Sequence, residues 1–120
     1  MPPHILFVDD EAPIREMLSL YFRKKGYTVT TAITADQARQ LVRETPFNLA
    51  ILDIGLAGEN GLDLLKVFKK DYPKLPVIIF TGLEPEEALL EEARAGGADG
   101  FMRKTEPLSD LFAEVQRHLS

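Results

Sequence analysis

Short apolar runs alternate with helical periods along the whole chain, and this alternation is what most restricts the fold. Each run is three to four residues long and precedes a segment in which apolar residues recur every three or four positions. That order favours βα units arranged around one parallel sheet. The predicted strands, in chain order, are Ile5–Val8, Thr28–Thr31, Leu49–Leu52, Val77–Phe80 and Gly100–Met102.

Helices are predicted in the segments that follow the strands. Pro13 suits the first turn of the first helix and Gly26 suits its end. Thr34-Ala-Asp-Gln37 has the spacing of a capping box and opens a second helix that reaches about Glu44. The remaining helix boundaries are marked by proline or glycine: Pro73 after the third helix, Pro85 before the fourth, Gly96-Gly97 after it, and Pro107 before the fifth.

The polarity of the runs indicates their order in the sheet. The first, third and fourth runs are apolar throughout, as in interior parallel strands buried on both faces. The second run, Thr-Val-Thr-Thr, is more polar and suits an edge. Right-handed crossovers and the flavodoxin-like order 2-1-3-4-5 satisfy these constraints. We therefore expect an α/β fold, a flavodoxin-like (βα)5 doubly wound sandwich with a parallel five-stranded sheet, forming a single domain over residues 1–120.

Composition excludes several classes of function. A formal net charge of −5 argues against nucleic acid as the main partner. Cysteine is absent, which removes disulfides and thiolate metal sites, and two histidines near opposite chain ends argue against zinc. No apolar stretch approaches the roughly 20 residues of a membrane span. The start lacks the pattern of a secretory signal, so the sequence predicts a cytoplasmic protein without membrane contact.

Carboxylates follow two of the predicted interior strands. Asp9 and Asp10 come directly after the first strand, and Asp53 comes directly after the third. Because the carboxyl ends of neighbouring parallel strands face one crevice, these acids should converge there. Close carboxylates raise each other's pKa unless a cation neutralises them. The expected neutraliser is a hard divalent cation with oxygen ligands, Mg²⁺.

Two further polar residues end strands at the same predicted edge. Thr81 follows the fourth run, and Lys104 comes two residues after the fifth. A hydroxyl and an ammonium opposite carboxylates suit a phosphoryl group. Asp53 would be the nucleophile, since a carboxylate can form an acyl phosphate. Thr81 and Lys104 would bind the phosphoryl oxygens and neutralise their charge.

Taken singly, these residues have ordinary structural explanations. An aspartate or threonine after a strand is commonly a turn former or helix cap, and an isolated lysine is commonly solvated. Their joint placement at one edge, in matching order, is what favours a phosphoryl site.

The complete set resembles the receiver domain of two-component response regulators, over essentially the whole chain. The features in family order are Val-Asp-Asp-Glu at 8–11, Asp53-x-x-Leu56-x-Gly58-x-x-Gly61, Thr81 after an apolar strand, Gly97-Ala98-Asp99 and Lys104.

The resemblance implies that Asp53 accepts a phosphoryl group from a phosphohistidine on a sensor histidine kinase or a phosphotransfer protein. It implies a chain that acts as a signalling phosphoacceptor rather than an enzyme with its own substrate. It also implies Mg²⁺ bound by Asp9, Asp10, Asp53 and the backbone carbonyl of Gly55.

The resemblance further implies a switch. Thr81 and Lys104 would contact the phosphate, and Phe101 matches the aromatic residue whose rotamer follows the inward movement of Thr81. The surface formed by the fourth helix, fifth strand and fifth helix would then change for an unknown output partner or effector domain.

Two positions depart from the family pattern. Ala57 stands where proline is usual, which leaves the loop after Asp53 less stiff. Thr105 stands where a proline usually follows the lysine through a cis bond. A cis bond before a non-proline residue costs about 3–4 kcal/mol. We expect either a trans bond with a rearranged loop or a strained cis bond, and either bears on the placement of Lys104.

Three other functions remain as alternatives. A phosphatase resembling the haloacid dehalogenases would want a second aspartate two residues after the nucleophile, where this chain has Gly55. A flavodoxin-like electron carrier would want a phosphate cradle after the first strand, where this chain has Asp-Asp-Glu. A degenerate receiver would act as a binding surface without phosphorylation.

Overall fold

The computed structural model describes residues 2–56, 60–82 and 87–119, in which five strands alternate with five helices. Every predicted strand is present, with each boundary within one residue of the prediction. The strands are β1 (His4–Val8), β2 (Thr28–Ala32), β3 (Leu49–Leu52), β4 (Val77–Thr81) and β5 (Gly100–Arg103). The helices are α1 (Ala12–Lys24), α2 (Ala35–Glu44), α3 (Gly61–Asp71), α4 (Glu87–Ala95) and α5 (Leu108–Leu119).

The strands form one parallel sheet in the order β2-β1-β3-β4-β5, which confirms the predicted flavodoxin-like topology. β1, β3 and β4 are interior strands, and every residue of β3 and β4 is buried. β2 lies at an edge, as its threonines predict, with Thr28 exposed. The chain order reverses between β1 and β3, so the edge beyond their carboxyl ends is the crevice where such sheets bind ligands.

Alternate residues of the strands feed two separate apolar cores. Phe7 of β1 packs with Phe22 of α1 and Leu111 of α5 on one face of the sheet. Leu6 of β1 packs with residues of α2, α3 and α4, such as Phe68, on the other face. Full burial of one such side chain contributes roughly 1.5–3 kcal/mol, so both faces of the sheet are held firmly by their helices.

The helix ends follow the predicted signals where the structure describes them. Pro13 lies in the first turn of α1, and Gly26 (φ 94°) ends that helix because a residue with a side chain is strained in this conformation. The Thr34 hydroxyl accepts a hydrogen bond from the Gln37 N–H at 3.1 Å and caps α2. Pro85, predicted to open α4, lies outside the described residues, as do Ala57 and Gly58. No helix in the described part of the chain is long and apolar enough to cross a bilayer.

Asp99 of the Gly-Ala-Asp motif acts at the edge opposite the predicted site. Its carboxylate accepts a hydrogen bond from the Val77 N–H at 2.9 Å and another from Lys69 Nζ at 3.0 Å. Lys69 Nζ also donates to the Leu75 carbonyl at 2.9 Å. Asp99 therefore joins the starts of β4 and β5 to the end of α3, and its role is structural.

Gly61 lets the start of α3 approach the end of β3. Its N–H donates to the Ile54 carbonyl at 3.0 Å. A Cβ atom at Gly61 would lie 2.2 Å from the Asp53 carbonyl oxygen and 2.7 Å from the Ile54 Cα. Both obstacles are backbone atoms, which cannot rotate away. The glycine is therefore required by contact with the protein's own backbone at Asp53.

We predict that Gly61→Ala destabilises the fold and displaces Asp53. The added methyl group meets rigid backbone, and overpacking of this kind costs about 1–3 kcal/mol. Urea unfolding of the variant measures the loss. Gly55→Ala is the matched control in the same loop, since a Cβ there meets only Asp53 Oδ1 at 3.9 Å. Equal stability of the Gly61 and Gly55 variants would contradict the close approach.

Candidate functional site

The sheet register places Asp9 and Asp53 side by side. Val8 and Leu52 are paired across β1 and β3, and the two aspartates are the next residues on each strand. The ladder continues one step further, because the Asp53 N–H donates to the Val8 carbonyl at 3.0 Å. Asp9 is fully buried and Asp53 is 4% exposed. Two carboxylates are therefore held by backbone hydrogen bonds at the crevice, where the sequence predicted them.

The side chain of Lys104, which follows β5, contacts both aspartates. Its N–H donates to the Thr81 carbonyl at 2.8 Å, which ties the main chain after β5 to the end of β4. Its Nζ lies 2.8 Å from Asp9 Oδ2 and 2.9 Å from Asp53 Oδ2, with the lysine side chain only 12% exposed. The ammonium thus bridges the ends of β1, β3 and β5.

The peptide bond before Thr105 is trans, as are the other peptide bonds of the described residues. Of the two expected outcomes, the trans bond is therefore the correct one. A turn in which the Glu106 N–H donates to the Arg103 carbonyl at 3.0 Å follows β5. Lys104 still reaches Asp53, so the absence of proline at Thr105 does not remove the lysine from the site.

Glu11 is a site residue to which sequence reasoning assigned no role. Its Oε1 lies 2.8 Å from Lys104 Nζ, although its side chain is 59% exposed. Its backbone N–H donates to Asp9 Oδ1 at 2.9 Å. The sequence signals were its place in the Val-Asp-Asp-Glu motif and its position at the start of α1, where glutamate is an uncommon cap.

Burial, hydrogen bonds and neighbouring charges shift the pKa values of Asp9 and Lys104. Burial, opposed by the Lys104 hydrogen bond and reinforced by the Asp53 charge, raises the pKa of Asp9. Burial alone would lower the pKa of Lys104, but its hydrogen bonds to Asp9, Glu11 and Asp53 outweigh burial and raise it. Lys104 therefore stays protonated, whereas burial disfavours the ionised form of Asp9.

The donor set fits a hard divalent cation. Asp9, Asp10, Glu11 and Asp53 each offer a carboxylate oxygen, and these oxygens lie within 4.8 Å of one another. Asp9 Oδ2 is buried, and the Lys104 ammonium at 2.8 Å is the one positive charge that contacts it among the described residues. Carboxylate oxygens at this spacing suit Mg²⁺.

Gly55 contacts the site through its backbone. Its N–H donates to Asp53 Oδ1 at 3.1 Å, which orients the carboxylate so that Oδ2 faces Lys104. The position of Gly55, two residues after Asp53, carries no second carboxylate. Gly58, part of the predicted motif, lies outside the described residues.

Thr81 and Phe101 lie on one face of the sheet. Thr81 is fully buried and has the same parity along β4 as Ile79, which is paired with Phe101 of β5. Phe101 is half-buried and packs against the core that contains Ile79. Thr81 and Phe101 are therefore diagonal neighbours on the same face of β4 and β5.

A large apolar groove lies at the opposite edge of the sheet and is separate from this cluster. Its volume is about 740 Å³, and it runs between the segments that precede β3 and β4. Phe47, Tyr72 and Leu75 line it, and none of the predicted site residues does. The charged cluster, rather than the groove, is therefore the candidate site.

Comparison with known proteins agrees with the fold. Residues 5–116 match the family described as the response regulator receiver domain. The chain belongs to this family. The resemblance expected from the sequence is thereby confirmed.

Several relatives match over nearly the whole chain. The regulatory protein VanR of Enterococcus faecium is 34% identical over 119 residues, covering 99% of this chain and 51% of VanR. A CheY-like receiver domain protein from Methanospirillum hungatei superimposes with a TM-score of 0.94 at 29% identity, covering 99% of this chain and 94% of that chain. TrrA from Thermotoga maritima, crystallised in complex with Mg²⁺-BeF, gives a TM-score of 0.88 at 27% identity, covering 98% of this chain and 99% of that chain.

The curated relatives are longer than this chain. The chain spans 51% of VanR and 20% of a putative NtrX-like response regulator from Rickettsia bellii, to which it is 36% identical over 97 residues.

The raised pKa of Asp9 predicts that Asp9→Asn stabilises the metal-free protein at neutral pH. Because the pKa is higher in the folded than in the unfolded state, ionising Asp9 lowers the free energy of unfolding. This loss begins as pH rises above the ordinary value of 3.8 and is complete above the folded-state pKa. Urea unfolding in excess chelator should show the variant more stable at pH 7, with the difference shrinking as pH falls toward 4.

Asparagine keeps an acceptor for the Glu11 N–H, so the local turn is preserved. Asp63→Asn, at an exposed position in α3, is the control for loss of one aspartate charge. If Asp9→Asn lowered the free energy of unfolding equally at both pH values, ionisation of Asp9 would not be what destabilises the folded state.

Proposed function

We propose that this chain is the phosphoacceptor of a two-component signalling pathway and that Asp53 receives a phosphoryl group from a phosphohistidine. The donor would be a sensor histidine kinase or a histidine phosphotransfer protein. The observation that carries the proposal is the contact of Asp53 Oδ2 with Lys104 Nζ at 2.9 Å in the crevice. A carboxylate held there is nearly buried and has a cation beside it.

The transfer needs little from the protein beyond placement and charge. An Asp53 carboxylate oxygen attacks phosphorus, the bond from phosphorus to the donor imidazole breaks, and the imidazole leaves with that electron pair and takes up a proton. Lys104 and Thr81 would face the phosphoryl oxygens, at which negative charge concentrates. Without the positive charge of Lys104, the buried carboxylate of Asp9 would repel the incoming phosphoryl group.

We propose that Mg²⁺ is bound by Asp9, Asp10, Asp53 and the Gly55 carbonyl. When bound by these residues, the ion would supply positive charge that offsets the charge of the phosphoryl group. The clustered carboxylates, with oxygens within 4.8 Å of one another, support the three aspartates of this set. The crystallisation of the similar protein TrrA with Mg²⁺-BeF also supports it.

We propose that phosphorylation is reported through Thr81 and Phe101. A phosphoryl group adds roughly −1.5 to −2 charges and three acceptor oxygens, which attract the Thr81 hydroxyl. Because Thr81 and Phe101 share one face of β4 and β5, movement of the first frees space for the second. The surface of α4, β5 and α5 would then shift between two states for an output partner to read.

The site favours a signalling phosphoacceptor over the other functions. A phosphatase general acid has no place at Gly55, whose N–H instead orients Asp53. A degenerate receiver would not need Lys104, Asp9 and Asp53 in mutual contact. We propose one receiver domain over residues 1–120, and a cytoplasmic location stays a prediction of the sequence.

We predict that Asp53→Asn abolishes phosphorylation while leaving the fold intact. The amide is not nucleophilic, yet it can still accept the Gly55 N–H. Incubation with acetyl phosphate and Mg²⁺, followed by intact-mass measurement, should show one phosphoryl group on the wild type and none on the variant. Asp63→Asn is the control and should be labelled normally. A phosphoryl group on another residue of the Asp53 variant, or multiple-turnover release of phosphate by the wild type, would contradict the assignment.

We also predict that labelling depends on a divalent cation. Without one, the phosphoryl group must approach Asp9 and Asp10 with only Lys104 to offset their charge. Excess chelator should lower the labelling rate at least about tenfold, which corresponds to 1.4 kcal/mol in the barrier, and Mg²⁺ should restore it. Asp10→Asn should require more Mg²⁺ for half-maximal labelling, whereas Asp63→Asn should not. Full-rate labelling in chelator would refute the metal requirement.

A further inference from the structure

We propose that Glu11 is a positioning residue for Lys104, keeping its ammonium beside Asp53 when a divalent cation takes over the other acids. The inference rests on the proposed function, because it concerns how Lys104 is held for phosphoryl transfer. It assigns a role to a residue outside the proposed metal ligands and phosphate contacts.

The first observation is the division of the Lys104 contacts. Its Nζ lies 2.8 Å from Asp9 Oδ2, 2.8 Å from Glu11 Oε1 and 2.9 Å from Asp53 Oδ2. An ammonium has three donors, so these carboxylates match its full capacity. Asp9 and Asp53 are proposed metal ligands, whereas Glu11 at 59% exposure lies on the solvent side of the lysine. Glu11 is thus the partner that Lys104 can keep.

The second observation is that Glu11 does not act as a helix cap. It occupies the N-cap position of α1, where serine, threonine, aspartate and asparagine are preferred, and its side chain makes no cap hydrogen bond. Thr34 and Asn60, at the same position of α2 and α3, both cap their helices. The Glu11 side chain instead reaches a residue 93 positions away.

The backbone of the site restricts any rearrangement to side chains. The Glu11 N–H is bound to Asp9 Oδ1 at 2.9 Å, and the Lys104 N–H is bound to the Thr81 carbonyl at 2.8 Å. If the Asp9 carboxylate binds a metal ion, the Lys104 ammonium loses one of its buried partners, and its long side chain is flexible. A carboxylate at Glu11 then keeps the ammonium near Asp53 instead of releasing it to solvent.

Two variants separate the effect of the length of the Glu11 side chain from the effect of its charge. Glu11→Gln keeps the length of the side chain and removes its charge. Glu11→Asp keeps the charge, shortens the side chain by one methylene, and places a preferred capping residue at the start of α1. Glu44→Gln, at the end of α2 on the opposite edge of the sheet, is the control for net charge.

The first readout is the proton–nitrogen NMR signal of the Lys104 ammonium, assigned by its loss in Lys104→Met. At saturating Mg²⁺ it should remain protected from exchange in the wild type and in Glu44→Gln. It should broaden or vanish in both Glu11 variants. A merely structural role for Glu11, checked by thermal unfolding, would leave this signal unchanged.

The second readout is the rate constant for phosphorylation by acetyl phosphate at saturating Mg²⁺. Both Glu11 variants should be slower by roughly 3- to 10-fold, a coupling typical of residues in direct contact. In the Lys104→Met background, followed over longer times, Glu11→Gln should cause no further loss.

Each contrary result has a distinct meaning. Normal behaviour of Glu11→Asp beside a slow Glu11→Gln would show that charge alone matters and overturn the inference. An equal effect of Glu11→Gln with and without Lys104 would also overturn it. Failure of the wild type to be labelled at Asp53 would instead defeat the proposed function, and the NMR comparison would still test the contact between Glu11 and Lys104.

Discussion

The Lys104 ammonium between two buried aspartates is the contact on which the carboxyl edge of the sheet depends. Asp9 is fully buried and Asp53 nearly so, and a buried carboxylate without a counter-charge is expensive. Removing Lys104 would leave these carboxylates without a counter-charge, a change that costs about 3–5 kcal/mol, a large part of the roughly 5–15 kcal/mol that stabilises a typical domain. The crevice therefore requires positive charge beside these carboxylates. Lys104 supplies that charge in the structure described, and a divalent ion bound to the same acids would replace it as their counter-charge.

The fold produces this contact through strand register rather than through any local motif. Val8 pairs with Leu52, so the residues that follow, Asp9 and Asp53, are adjacent although they lie on different βα units. Lys104 is brought in by the pairing of β4 with β5 and is 51 positions from Asp53 in the chain. Four of the five strands, all except β2, thus carry polar side chains of the site at the same end, and the two apolar cores hold these strands in place.

Strand order and most of the site were predictable because they follow from patterns of consecutive residues. Apolar runs located the strands, and the residue directly after a parallel strand must lie at the carboxyl edge, which was sufficient for Asp9, Asp53 and Thr81. Glu11 was not assigned a role, since the direction of a side chain at a helix start depends on which partner it finds across the sheet. Gly61 is part of the predicted motif, but the reason for the glycine is its close approach to the Asp53 backbone, which no sequence pattern specifies.

The same geometry separates what is fixed from what can move on phosphorylation. The main chains of Asp53 and Lys104 are bound to neighbouring strands, the first through the Val8 carbonyl and the second through the Thr81 carbonyl. In the proposed function, binding of a metal ion or formation of an acyl phosphate at Asp53 would therefore be accommodated mainly by side-chain rotation. Thr81 has a place in both, because its carbonyl holds the Lys104 N–H while its side chain shares a face of the sheet with half-buried Phe101. These two residues give the proposed charge change at Asp53 a route to the surface of β5.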